Sequence, residues 1–135
     1  MKPYDLKVSD LMSTAVVTTR ATDPVTGAHA EMQVGLIRHL PVVDERGRLV
    51  GILSDRDVLR CIAGHKPHRV GDIMTRDVVA VRPDTPAHTA AGIMINQAIS
   101  SVLVTEDDGT LVGVVTVTDF VGLAQRALLQ LPLER

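Results

Sequence analysis

Two hydroxyl–carboxylate pairs, Ser54-x-x-Asp57 and Thr116-x-x-Asp119, recur at an offset of 62 residues. Each follows a glycine and a short apolar run, Gly51-Ile52-Leu53 and Gly113-Val114-Val115, and each precedes residues that read as a helix. A hydroxyl at a helix start stands beside backbone N–H groups without intrahelical partners, where a phosphate is welcome. A carboxylate three residues on can accept hydrogen bonds from two vicinal hydroxyls, such as those of a ribose. The same spacing fits a capping box, in which hydroxyl and carboxylate satisfy the backbone at the helix start. A duplicated cap would be duplicated too, so repetition alone leaves both chemistries open.

The elements that carry these pairs follow from local pattern. Lys7 to Met12 reads as a short helical turn, and Ala15 to Thr19, rich in β-branched residues, as a strand or extended segment. Thr22-Asp23-Pro24 is a helix start, with proline expected at the first helical position. The helix shows an apolar stripe of Val25, Ala28, Met32 and Leu36, weakened by Gly27 and Gly35. Leu40 to Val43 and Leu49 to Leu53 read as a hairpin around the polar turn Asp44 to Arg48. Pro41 predicts that its strand begins at an edge or a bend, because proline cannot donate to a ladder.

From Val70 onward the first half returns without a gap. Val8-x-Asp10-x-Met12 becomes Val70-x-Asp72-x-Met74, Pro24 becomes Pro86, Ala28 becomes Ala90, Met32 becomes Met94, and Gly47-x-Leu49-Val50-Gly51 becomes Gly109-x-Leu111-Val112-Gly113. A fixed register over so long a stretch marks an internal duplication. The expected division is residues 1–64 as a first repeat, 65–69 as a linker of glycine-, proline- and charge-rich type, and 70–135 as a second repeat with an extended C-terminal helix. Neither copy alone could bury both faces of a three-stranded sheet, so the two are expected to pack face to face. The last helix continues through Phe120, Leu123, Ala124, Ala127, Leu128 and Leu131, an apolar stripe without a counterpart after Ile62 and suited to a subunit interface.

Composition narrows the function classes. The 135 residues suit one domain or two small repeats, and with one Tyr and one Phe the core must be built from aliphatic residues and Met. A net charge of −2 without a dense basic cluster argues against nucleic acid as a partner. No run approaches the roughly 20 apolar residues a membrane helix needs, and the N-terminus has no apolar core of a signal peptide. A cytoplasmic protein is expected. The single cysteine, Cys61, reads as a buried structural thiol. No metal requirement is expected: His29, His65, His68 and His88 have no ligand spacing. His65 and His68 read as solvated, and Met12, Met32, Met74 and Met94 as packing residues.

Tandem copies ending in Gly-h-h-[Ser/Thr]-x-x-Asp (h, an apolar residue), with a Leu40-Pro41-Val42-Val43-Asp44 strand before the first and a V-x-D-h-M start, resemble a pair of cystathionine-β-synthase (CBS) domains, a Bateman module. The resemblance covers about residues 7 to 125. It implies an α+β fold of two βαββα repeats packed sheet to sheet with pseudo-two-fold symmetry. It also implies adenosine-type ligands (AMP, ADP, ATP, sometimes S-adenosylmethionine or a dinucleotide) in two clefts, with β-branched strands as the adenine slot. In the family, the hydroxyl and Asp of one repeat work with the early strand of the other. By position, Ser54, Arg56 and Asp57 pair with Val79 and Ala80, and Thr116, Thr118 and Asp119 pair with Val17 and Thr18. Arg38 and His39 match places where family members contact phosphate with basic side chains; for His39 the plain alternative is a solvated strand-edge histidine.

The copies differ where charge matters. Arg38-His39 in the first is Ser100-Ser101 in the second, Arg56 is matched by Thr118, and Pro41 by Leu103. The Asp57 cleft is therefore expected to take the more highly charged ligand. The Asp119 cleft, without nearby cations, is expected to take a neutral or monophosphate ligand, or none. A Ser54–His39–Asp57 relay is set aside, because the carboxylate is occupied with cap or ribose and no general base is placed. The resulting expectation is a non-enzymatic sensor of adenine nucleotides, homodimeric, that modulates an unidentified partner protein. The alternative is a ligand-independent dimerisation or protein-interaction module.

Overall fold

A computed structural model describes residues 5–64, 66 and 68–132. Tyr4, His65 and Pro67 lie outside the described residues, and with them part of the expected 65–69 linker. The fold is α+β, with two three-stranded sheets ordered β1-β2-β3 and β4-β5-β6. The chain forms two compact units. One comprises Ala15–Val79 with Asp107–Leu111; the other comprises Met1–Thr14, Ala80–Glu106 and Val112–Arg135. The short leading helix of each sequence repeat therefore belongs to the unit built mainly from the other repeat.

In the first of these units, β1 (Thr19–Arg20) runs parallel to β2 (His39–Val43), which pairs antiparallel with β3 (Leu49–Ser54). Helices α2 (Val25–Gly35), α3 (Asp55–Ala63) and the single turn α4 (Val70–Ile73) pack with them. Val25, Ala28, Met32, Leu40, Val42, Leu53, Val58, Cys61 and Val70 form one buried cluster. Cys61 is a buried free thiol, as its helix setting predicts. His68 is half-buried and its carbonyl accepts the Val25 N–H at 3.0 Å, so this end of the expected linker is fastened to the start of α2.

Three local expectations are corrected. Pro24 is the N-cap of α2, one position earlier than expected. The Asp23 carboxylate instead accepts from the Arg20 N–H and the Thr19 hydroxyl, both at 2.9 Å, and these bonds hold it below its ordinary 3.8. Leu36 is not part of the buried stripe; it ends α2 in the left-handed conformation (φ 54°) and is 91% exposed. Pro41 lies in the middle strand rather than an edge. It is tolerated there because β1 pairs only with Val42 and Val43, so no neighbour on that flank asks for the missing N–H.

The second unit tests that account. There β4 (Ala80–Val81) begins pairing one position earlier, with Ala80 opposite Leu103 of β5 (Ser101–Thr105). Leu103 replaces Pro41 and has an N–H to offer. The unit is completed by α1 (Val8–Leu11), α5 (Ala87–Gln97), β6 (Leu111–Thr116) and α6 (Val117–Gln130), around buried Val8, Ala87, Ala90, Met94, Val102, Val104 and Val115.

The motif glycine has a packing reason that recurs in both units. A Cβ on Gly51 would stand 2.7 Å from Met74 Sδ and 2.9 Å from the Thr75 carbonyl oxygen; on Gly113 it would meet Met12 Sδ and the Ser13 carbonyl at the same distances. Thr75 bridges Ile52 and Ser13 bridges Val114, each extending its sheet edge by one residue. Met12 and Met74 are thus packing residues seated on glycines, while Met32 and Met94 are buried.

Candidate functional site

Ser54 is the N-cap of α3. Its Oγ accepts the Asp57 N–H at 3.1 Å, while Asp57 Oδ2 accepts the Ser54 hydroxyl at 2.8 Å and the Ser54 N–H at 3.3 Å. Thr116 and Asp119 repeat the arrangement on α6 at 3.3, 3.1 and 2.8 Å respectively. The capping box is therefore present in both copies. In each it engages the same carboxylate oxygen, Oδ2. Asp57 Oδ1 lies 3.7 Å from Arg60 Nη1, and Asp119 Oδ1 has no partner among the described residues. A carboxylate that caps with one oxygen keeps lone pairs on the other for a ligand hydroxyl.

The first copy gathers cations at this helix start. His39 stands opposite Ser54 in the β2–β3 ladder, and the Arg38 carbonyl accepts the Asp55 N–H at 2.9 Å. Arg56 is the second residue of α3 and is exposed, as are Arg38 and His39. The strand order thus brings Arg38, His39, Ser54, Arg56 and Asp57 to one end of one unit. Arg60 joins them, a residue that sequence reading missed, although its place three residues beyond Asp57 on a helix was the available signal. His39 makes no hydrogen bond to Ser54 or Asp57 among the described residues, and the direct Ser54–Asp57 bond has the form of a cap rather than a relay.

The second copy is built differently. Ser100 takes the place of Arg38, its carbonyl accepting the Val117 N–H at 3.0 Å. Asp119 and Thr118 line a cleft of 310 Å³ together with Asp10, Leu11, Gly122 and Arg126. Arg126 corrects the expectation that this copy lacks a nearby cation. It escaped the repeat comparison because its counterpart, Gly64, lies past the end of α3.

The remaining expected residues lie in the extended segments that lead into the two short strands. Val17 and Thr18 precede β1 and are exposed. Val79 is half-buried just before β4, and Ala80, exposed, is the first residue of that strand. Val17, Thr18 and Val79 belong to the compact unit of Ser54; Ala80 belongs to that of Thr116. Among the described residues no group of three or more His, Cys, Asp or Glu side chains could hold a metal ion, and no helix is long and apolar enough to cross a membrane.

Comparison with known proteins agrees with this architecture. The CBS domain family model matches residues 8–64 and again 70–125, and the chain belongs to the CBS domain family as a tandem pair. It is 36% identical over 112 residues to a homoserine O-acetyltransferase of Methanococcoides burtonii, covering 83% of this chain but 23% of that protein. The chain thus spans about a quarter of the length of the curated relatives it matches first. Among solved structures, it is similar to a CBS domain pair in complex with 5′-methylthioadenosine and S-adenosyl-L-methionine, at 34% identity and a TM-score of 0.77, over 88% of this chain and 99% of that one. It is also similar to CBSX2 in complex with AMP, at 26% identity and a TM-score of 0.81, over 90% and 98% of the two chains.

Proposed function

We propose that this CBS pair is a regulatory module that binds an adenine nucleotide (AMP, ADP or ATP) and modulates a separate partner protein as a homodimer. The observation that carries the reading is the convergence of Arg38, His39 and Arg56 on the start of α3, beside an Asp57 oxygen that the cap leaves over. Three basic side chains at the start of a helix suit the phosphates, and the carboxylate suits the ribose hydroxyls. The adenosine ligands of the two similar structures support the ligand class. Val79, in the same unit, serves the adenine of this ligand; Thr116, Thr118 and Asp119 serve a second one.

Titration calorimetry on nucleotide-stripped protein tests the assignment. Replacing Arg38 and Arg56 by alanine is expected to weaken ATP by roughly tenfold to a hundredfold, the worth of a charge-assisted hydrogen bond, and to leave adenosine nearly unchanged. Equal losses for both ligands would remove the phosphate role.

A second reading, an interaction module that needs no ligand, draws on α6. Val117, Val121, Ala124, Leu128 and Leu131 recur at spacings of four and three along one side of the helix, and all are exposed. Absence of heat with ATP and AMP, on protein that is folded and empty, would favour it.

A further inference from the structure

Among Arg38, His39, Arg56, Asp57 and Arg60, only His39 is of a type whose charge changes between pH 5 and 8. It opens β2, exposed, and is paired with Ser54 across the β2–β3 ladder. Residues directly opposite one another in a ladder carry their side chains on the same face of the sheet. The imidazole therefore stands on the face from which Ser54 caps α3, and it forms no hydrogen bond or ion pair among the described residues.

The charges around it come from few elements. Arg38 precedes it in the chain, and α3 brings Asp55, Arg56, Asp57 and Arg60, the last drawn to Asp57 at 3.7 Å. From β3 its partner is the uncharged Ser54. The last turn of α2 carries no charge, and β1 pairs only with Val42 and Val43, so its Arg20 lies at the far end of β2. Three guanidiniums thus stand with two carboxylates, and protonating His39 doubles the net positive charge of the group. The imidazolium also has two N–H donors where the neutral ring has one. An anion bound here favours the protonated form, and by reciprocity protonation favours the anion.

We propose that His39 makes the Asp57 cleft a proton-linked site: its imidazolium joins Arg38 and Arg56 on the phosphates of the ligand, so that affinity rises as pH falls. The inference deepens the nucleotide reading of the preceding subsection and rests on it. In the second copy Ser101 stands in the place of His39 and has no charge to gain. Of the two copies, the first alone reports proton concentration together with nucleotide.

The test is calorimetric titration of the full chain and of His39→Gln with ATP at pH 6 and pH 8. The phosphates titrate too, but equally for both proteins, so the ratio of their affinities isolates the side chain. Wild type is expected to bind ATP about fivefold more tightly than His39→Gln at pH 6, the upper worth of an exposed charge pair, and equally at pH 8. At pH 7, in buffers of different ionisation enthalpy, wild type should take up more protons on binding than the variant. Adenosine, which has no phosphate, should show no difference between the two proteins at either pH. A ratio that is the same at pH 6 and pH 8, or one that adenosine reproduces, overturns the inference while the nucleotide reading stands. Absence of ATP binding by wild type at both pH values overturns the nucleotide reading itself. His39 is exposed, and thermal melts without ligand confirm that the variant is folded.

Discussion

Asp57 caps α3 with one oxygen and is proposed to hold a ribose with the other, and the two tasks separate by experiment. Its Oδ2 closes the capping box, so Ser54→Ala and Asp57→Ala should each lower stability by about 1 kcal/mol without any ligand, the usual worth of an N-cap. Urea denaturation measures this. Saturating ATP should stabilise wild type and Ser54→Ala but stabilise Asp57→Ala much less, because only the last loses the oxygen assigned to ribose. Equal stabilisation of all three would leave the carboxylate as a cap alone. Other carboxylates respond to acid. The Arg48 N–H, then that of Arg46 and the Arg48 side chain, hold Asp44 below 3.8, and the Thr110 N–H does the same for Asp108. A lowered folded-state value means that the stabilisation is present above the unfolded-state value and is lost as pH falls through the folded one. The melting temperature should therefore drop below about pH 4, and Asp44→Asn should make that drop shallower.

At the scale of elements, the motif glycine and the leading methionine form one joint, used twice. Because a Cβ at Gly51 or Gly113 would meet a backbone carbonyl as well as a flexible Met, relief by side-chain movement is incomplete. Gly51→Ala and Gly113→Ala should each destabilise by about 1–3 kcal/mol, as overpacking of a close contact does, read by thermal or chemical melts. Met74→Ala in the Gly51→Ala background should recover little, since the Thr75 oxygen remains. Much of each element was legible beforehand. Polar starters, glycine-bearing turns and the three-and-four spacing of Val25, Ala28 and Met32 are local signals. Leu36 was misread because spacing cannot distinguish one more buried turn from a left-handed exit, and Pro41 because a strand's place in a sheet depends on distant neighbours.

At the scale of the whole molecule, α6 presents an apolar line to solvent, with Val121 61% and Leu128 67% exposed. In the proposed homodimer this line is the contact surface, by the four-and-three spacing that lets helices mesh. Val121→Asp with Leu128→Asp should convert a dimer to a monomer in analytical ultracentrifugation while leaving the folded repeats intact. A wild-type monomer at tens of micromolar would remove the proposal.

The sequence by itself determined the duplication, the order of elements and membership in the CBS family, because each is written in local spacing and repeated at a constant offset; the capping boxes it offered only as one of two readings. It also marked Arg38, His39 and Arg56, which stand within or beside the matched motifs. Tertiary structure alone decided that each leading helix joins the unit built mainly from the other repeat, and that Asp10 and Arg126 share a cleft with Asp119. Residues 10 and 126 lie far apart along the chain, and the packing that brings them together leaves no periodic trace near either one.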